Sequence, residues 1–249
     1  MQITKLVLPA AGLSSRLKLA LASDLHGEKG EKAILSLKEE KPDLILMPGD
    51  IFDFAPELAP EEKRTQNSLA FLSEAGKIAP CFFSVGNHEW VADETLKGLL
   101  RERDVALLDD AWEPLQIGAD RILVGGLTSP CGREGKYSRW HTQRPDVAFL
   151  RRFAEKPGYK ILLSHHPELF PPYIEELPVD LTLSGHAHGG QVRLFGKGLF
   201  APGQGFFPAL TSGIYKERLI VSRGLGNGTP FPRLFNPREL IYVELCPKA

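Results

Sequence analysis

The 249-residue sequence is short of cysteine, of basic excess and of long apolar runs, and each shortage closes off a class of protein. Its three cysteines, Cys81, Cys131 and Cys246, are widely separated, form no CxxC pair and are odd in number, so reduced structural thiols are expected rather than a disulfide framework or a thiolate metal knuckle. Lys and Arg number 30 against 31 Asp and Glu. With no basic excess to hold a nucleic-acid backbone by counterion release, an extended polynucleotide partner is not expected. Lys5 and the apolar stretch 6–13 have the outline of a short leader, but Pro9 and Gly12 interrupt the stretch, and Arg16 and Lys18 close off any membrane-spanning length. Residues 6–13 and 17–22 read instead as strands. The sequence predicts a cytoplasmic protein without a transmembrane segment, and leaves room for peripheral membrane association.

What is present is a patterned α/β chain. A hydrophobic content of 43% in this length suits a single domain over residues 1–249. Short apolar runs at 17–23, 44–47 and 81–85 read as buried strands, and each runs into polar residues: Asp24, Gly49-Asp50 and Gly86-Asn87-His88. Between them, 29–40 and 57–76 have helical patterns, and this strand-helix-strand alternation implies parallel crossovers. The second half continues with strands at 121–126, 160–164 and 180–184 and a helix at 145–155. From Gly189 the texture turns to Gly, Pro and aromatic residues, with short strands at 191–194, 219–222 and 240–244. There is no internal repeat and no low-complexity block. In an open α/β sheet, ligands bind beyond the carboxyl ends of the strands, where these polar residues fall.

Six of the seven histidines, His26, His88, His165, His166, His186 and His188, sit at these strand ends beside Asp, Asn, Gly or another His. Asp24-x-His26 and His186-x-His188 each space two donors so that, in an extended segment, both project to one side and reach one metal site. Gly49 and Gly86 precede donors at turns where a missing side chain permits an unusual backbone and the close approach of a ligand. Carboxylate, imidazole and amide donors suit borderline divalent ions such as Mn, Fe, Zn or Co. A lone histidine or a lone Gly-Asp is usually structural. Five such clusters in order, each after a strand, point to a metal centre.

Ser23-Asp24-Leu25-His26, Gly49-Asp50-Ile51-Phe52-Asp53, Gly86-Asn87-His88-Glu89, His165 and Gly185-His186-Ala187-His188 resemble the signature of calcineurin-like metallophosphoesterases. The resemblance implies a four-layer α/β/β/α sandwich of two mixed sheets flanked by helices. It implies one ion held by Asp24, His26, Asp50 and His188 and another held by Asp50, Asn87, His165 and His186, with Asp50 bridging. Two ions about 3.5–4 Å apart activate a shared water for in-line attack on phosphorus. By the same resemblance His88 protonates the leaving alkoxide, and Asp53 is its natural partner, holding the ring in one tautomer. A helix N-cap is the plainer role for Asp53. Softer motifs, including Gly189-Gly190-Gln191, Gly213-Ile214-Tyr215, Ser222-Arg223-Gly224-Leu225-Gly226 and Arg233, look like the bacterial YkuE/YaeI-type branch. Many members of that branch are membrane-anchored or exported, and no such segment is evident here. Phe54 follows Asp53, where Ser/Thr protein phosphatases carry Arg, which argues against a protein substrate.

The implied function is a phosphodiesterase acting on a small-molecule, nucleotide or lipid-headgroup substrate. The alternatives are a phosphomonoesterase of the same fold and a catalytically silent metal-binding interaction protein. The complete donor set and His88 argue against the silent protein. A redox metalloenzyme ranks last, because it would leave open positions in a smaller donor set. His166 is a candidate pocket residue and His141 a candidate substrate contact. In the stretch 199–210, Phe200, Phe206 and Phe207 are expected to pack in the core rather than form an apolar rim. Oligomeric state is not legible.

Overall fold

Alternation along each strand sorts apolar side chains onto two faces, and that sorting sets the layers of this protein. The computed structural model describes residues 1–53, 61–89, 94–133, 142–229 and 231–248. The first half contains β1 (Gln2–Ala10), β2 (Leu17–Leu21), α1 (Glu31–Glu40), β3 (Leu44–Met47), α2 (Lys63–Gly76), β4 (Cys81–Ser84), α3 (Glu94–Arg101) and β5 (Val105–Leu108). There follow β6 (Ala111–Ile117), β7 (Asp120–Leu127), α4 (Pro130–Arg133), α5 (Val147–Ala154), β8 (Tyr159–Ser164) and β9 (Leu181–Ser184). Short ribbons then form from β10 (Arg193–Leu194), β11 (Lys197–Gly198), β12 (Phe200–Ala201) and β13 (Gly205–Phe206), before β14 (Gly213–Tyr215), β15 (Leu219–Val221) and β16 (Glu239–Pro247).

Two six-stranded mixed sheets result, ordered β1-β16-β2-β3-β4-β5 and β14-β15-β9-β8-β7-β6. Strands β2 to β5 are parallel, as are β7, β8, β9 and β15, while β16, β6 and β14 pair antiparallel with their neighbours β2, β7 and β15. Leu19, Leu21, Leu44 and Leu46 of the first sheet share one core with Ile161, Leu163, Leu181 and Leu183 of the second. The alternate residues Ala20, Ile45, Met47 and Phe83 instead pack with Ala33, Leu37, Leu69 and Leu72 of α1 and α2. On the far side Leu123 and Leu162 pack with Phe149, Leu150 and Phe153 of α5. Helix, sheet, sheet, helix is therefore the layer order. Truncating a fully buried residue such as Leu46 costs roughly 2–5 kcal/mol.

Local signals explain the helices that carry the strands into place. Glu31 in the first turn and Lys38 in the last complement the dipole of α1, and Lys41 ends it in the left-handed region, its N–H bonded to Leu37 O. Asp146 caps α5 by accepting from Phe149 N at 2.9 Å. The helix expected at 57–76 begins at Lys63, and 54–60 lie outside the described residues. Helix α3 and strands β5 and β6 were not expected; Pro114 and alternating exposure suit β6 to a sheet edge, where a missing N–H is tolerated. The core packing expected for 199–210 is corrected, because Phe206 is 64% and Phe207 80% exposed.

Candidate metal centre

The two sheets bring the carboxyl ends of their parallel strands to one edge. Asp24 and His26 follow β2, Asp50 follows β3, and Asn87 and His88 follow β4. From the second sheet, His165 follows β8, and His186 and His188 follow β9. All of these side chains except His88 are buried, and Asp24 and His26 are fully so.

Local backbone differs from the expected extended segments. Asp24, His26, Asp50, His186 and His188 all adopt left-handed conformations, with φ of 52, 49, 54, 64 and 45°. Each such residue is strained by roughly 1–2 kcal/mol, and strain of this kind concentrates at functional sites. The two-residue spacing accordingly acts through alternating left-handed turns rather than through a strand. The unusual backbone expected at the motif glycines is present at Gly49, while the close approach is not the one expected. Gly49 has φ of +93°, and a Cβ there would lie 2.6 Å from Gly86 N, so the close approach is between the two motif loops themselves. A Cβ on Gly86 would overlap Asp50 Oδ1.

Four donor groups form among the described residues, and two of them consist wholly of the expected metal ligands. Asp24, His26 and His188 bring one ligand atom each within 4.8 Å of one another, as do Asp50, His165 and His186. Thus His186 and His188, expected to share one site by spacing, belong to different clusters, as the family resemblance implied. Asp50 Oδ2 lies 3.1 Å from His165 Nε2 and 3.8 Å from His26 Nε2, which puts it between the clusters. Asn87 Oδ1 is 3.0 Å from His165 Nε2.

The chemistry of these donors fits a cation. His165 Nδ1 lies 2.7 Å from Pro48 O, and a carbonyl can only accept, so Nδ1 carries a proton and Nε2 faces Asp50 and Asn87; against the effect of burial, the Asp50 carboxylate raises this histidine above its ordinary value, a proton standing where a cation could. Among the described residues, Asp24 Oδ2 is buried without a hydrogen-bond partner. Burial, reinforced by the Asp50 carboxylate, raises Asp24 above its ordinary range. Burial also pushes Asp50 upward, but His165, His88 and His26 outweigh it and hold that carboxyl well below the usual range. Burial holds His26 down to about 3 and keeps His186 and His188 well below their ordinary value, so these rings are neutral and available as ligands.

His88 belongs to neither of these two clusters but adjoins them: with His26 and Asp53 it forms a further donor group, its ring centroid 4.5 Å from that of His26. Its side chain is 18% exposed, its backbone N–H donates to Asp50 Oδ1 at 2.9 Å, and its Nδ1 lies 3.6 Å from Asp53 Oδ1. Asp53 also lies 3.8 Å from His26 Nδ1 and pairs with Arg64. Helix α2 has Glu62 at its N-cap, so Asp53 does not cap it.

Other residues were not anticipated. Glu89 accepts from the backbone N–H groups of Asp50 at 2.9 Å, Phe52 at 3.0 Å and Gly86 at 2.8 Å, and so ties both motif loops to one carboxylate. Its place in the fourth position of Gly-Asn-His-Glu was the available signal. Arg233 donates to His188 Nδ1 at 2.8 Å and to Arg223 O at 2.6 Å. His166, one residue past His165, turns away to Ser129 Oγ at 2.7 Å and Glu168 Oε1 at 3.3 Å. Both nitrogens are engaged and the residue is 1% exposed; its ring centroid lies 4.2 Å from that of His186, and with His186 and Glu168 it forms a further donor group. Against the effect of burial, its hydrogen bonds to Cys131 and Glu168 push it up to about 10. His141 lies outside the described residues.

Fold and donors together define a sandwich with a buried His/Asp/Asn centre on its sheet edge. Residues 17–190 match the family model for calcineurin-like phosphoesterases, and the chain belongs to that family. It is 29% identical over 242 residues to an uncharacterised metallophosphoesterase of Campylobacter jejuni, covering 94% of this chain and 60% of that one. YkuE of Bacillus subtilis, also an uncharacterised metallophosphoesterase, is 28% identical over 199 residues, covering 78% and 64%. The chain thus spans about 60% of the length of relatives such as the Campylobacter protein. The solved phosphopantetheinyl hydrolase of Mycobacterium tuberculosis shares the fold, with a TM-score of 0.50, 12% identity and coverage of 88% and 92%. No helix among the described residues is long and apolar enough to cross a membrane.

Proposed function

We propose that this chain is a two-metal phosphodiesterase acting on a small-molecule, nucleotide or lipid-headgroup diester. The reading rests above all on the position of Asp50 between two donor clusters, with His88 beside it. Asp24, His26 and His188 would hold one ion, Asn87, His165 and His186 the other, and Asp50 would serve both. When bound, such ions lower the pKa of water and neutralise charge on phosphoryl oxygens, and the mixed donors suit Mn, Fe, Zn or Co.

The remaining work falls to the chain itself. His88 is the centre's accessible imidazole, and its Nε2 is directed toward Asp50 Oδ2 at 3.9 Å, so a proton held there faces the reacting group. Asp53 Oδ1 lies 3.6 Å from the other nitrogen and would favour that tautomer by closing onto it. His88 would give its proton to the leaving oxygen. Diester preference is supported by the supply of positive charge. Among the described residues Arg233 and Arg64 are cationic side chains in contact with the centre, and each is already engaged, Arg233 with His188 and Arg64 with Asp53. A monoanionic diester needs less neutralisation than a dianionic monoester. Three free cysteines agree with a reducing, cytoplasmic setting.

The test compares bound metal and turnover of bis(p-nitrophenyl) phosphate and p-nitrophenyl phosphate in the native chain, Asp50→Asn and His88→Ala. Asp50→Asn is expected to lose metal and turnover together. His88→Ala keeps its metal and loses about 10²–10⁴-fold in rate, less so with better leaving groups. Undiminished hydrolysis in Asp50→Asn overturns the reading.

A further inference from the structure

Beyond its metal centre the chain carries an unusual surface. Phe195, Phe206, Phe207, Phe231, Leu234 and Phe235 are all exposed, and all lie between residues 194 and 235. Backbone hydrogen bonds join the segments that carry them. Arg193 N donates to Leu234 O at 3.0 Å, Leu199 N to Val192 O at 2.8 Å, and Phe207 N to Leu199 O at 2.8 Å. The aromatic residues therefore share one patch built from β10 to β13 and the segment 231–235.

Three of them are also strained. Phe195, Phe207 and Phe235 have φ of 50, 52 and 54°, and they are 103, 80 and 80% exposed. Glycine or asparagine would fit such backbone with less strain, and a polar side chain would suit water better. A bulky aromatic at these positions is unfavourable locally and in solution, and only an apolar surrounding offsets that.

The charge of the patch states which surrounding. Residues 189–238 contain seven Lys and Arg and a single acidic residue, Glu217, whereas the whole chain has a net charge of -1. Several of these cations are neutralised: Arg223 pairs with Glu239, Arg238 with Glu28, and Lys216 with Glu175. Arg193 and Lys197 have no carboxylate within ion-pair distance among the described residues, whereas Arg233 is turned inward onto His188 and the carbonyls of Arg223 and Gly226. Arg193 instead binds Gly189 O and Thr211 Oγ1, and Lys197 is exposed on the ribbon that ends in Phe195.

We propose that this aromatic and basic patch docks the protein onto an anionic lipid bilayer, inserting its phenylalanines at the headgroup boundary while its cations meet lipid phosphates. Protruding aromatic tips beside unneutralised cations suit a fluid anionic interface. A protein partner would instead be met by a flatter apolar core with a polar rim. The patch is joined directly to the centre, since Asn236 Nδ2 donates to His188 O at 2.7 Å and to Gln191 O at 3.1 Å. Docking thereby holds the donor clusters near the headgroup plane. If the proposed phosphodiesterase reading holds, headgroup diesters become its substrates.

The experiment uses the full chain and the triple variant Phe195→Asn, Phe207→Asn, Phe235→Asn, in which asparagine tolerates the left-handed backbone. The native chain is expected to sediment with phosphatidylcholine vesicles containing phosphatidylglycerol, not with phosphatidylcholine alone, and to be released by high salt. The variant is expected to sediment at least tenfold less while melting no lower and hydrolysing soluble bis(p-nitrophenyl) phosphate at the native rate. Failure of the native chain to bind anionic vesicles, or equal binding by the variant, overturns the proposal. So does a native dimer that the variant dissolves without any vesicle binding, which would make the patch a self-association face. Vesicle binding without hydrolysis of any phosphoester would leave docking standing and remove the catalytic reading.

Discussion

Glu89 offers a quantitative test of how the centre is held together. Its carboxylate is 4% exposed and accepts three backbone N–H groups, two at Oε2 from Asp50 and Gly86 and one at Oε1 from Phe52. Glu89→Gln keeps the shape but exchanges one oxygen for an NH₂. With the amide oxygen in the place of Oε2, the NH₂ faces Phe52 N–H, donor against donor. One buried N–H is left unsatisfied, at about 1–3 kcal/mol. In a protein of this size each kcal/mol lowers the melting temperature by roughly 2–4 °C, so a fall of about 6 °C is expected. Glu89→Ala orphans all three N–H groups, costing about 3–9 kcal/mol, comparable with a whole domain's stability. Thermal melting of chelator-treated protein reads this directly, and metal titration of Glu89→Gln should show weaker binding because the Asp50 turn is no longer fixed. A melting temperature within about 1 °C of the native value would refute the account, since the same-shaped amide removes only the hydrogen-bonding oxygen.

Three further outcomes are expected. A Cβ at Gly185 would overlap Asp24 Oδ2 and lie 2.9 Å from Ser23 Oγ, so Gly185→Ala should displace Asp24 and lower metal stoichiometry as read by elemental analysis, with little change in the far-ultraviolet dichroism. Because a guanidinium cannot accept, Arg233 leaves the His188 proton on Nε2, 3.2 Å from His26 Nε2, where an ion would bind. Arg233→Gln should therefore tighten metal binding by about tenfold in calorimetry, and weaker binding would count against the competition. The metal-free chain should lose stability as pH falls from about 6.5 to about 4.5. There the unfolded chain protonates His26, His186 and His188, all depressed in the fold chiefly by burial, while the fold holds protons at the raised His165 and His166 and gains them at Asp24 and Glu89, raised chiefly by burial, the latter to about 7. The excess of protons on the unfolded chain grows toward the acid end of that range, each net proton there being worth about 1.4 kcal/mol per pH unit, and denaturant melts would detect it.

Strands with buried faces and donors at their ends were legible in the sequence, because a run such as Leu44–Met47 followed by Gly49-Asp50 states both its burial and its chemistry. Strand β6 was hidden by its exposure: Ala111–Ile117 lies on a sheet edge and shows no continuous apolar run. The fold brings the expected donors together at one edge, but not by the expected geometry, since spacing of two implied a strand and the backbone at Asp24 and His26 is left-handed. Glu89 and Arg233 escaped because each acts on backbone or on another side chain several loops away. The phenylalanines of 199–210 were misplaced for a simpler reason. Apolar character argues for burial on average, and here two of them are held outward by tight ribbons.

Strand β16 has a consequence for the order in which the centre can come into being. It lies between β1 and β2, yet in the chain it follows every donor residue from Asp24 to His188. During synthesis Asp24, His26, Asp50 and Asn87 emerge long before the strand that completes their sheet. His165, His186 and His188 emerge later, on the other sheet. A nascent chain therefore displays scattered donors without the frame that brings them within reach of one another. Capture of metal is expected as a late event, timed by the arrival of β16, and the growing chain is spared a premature ion locked into half a site.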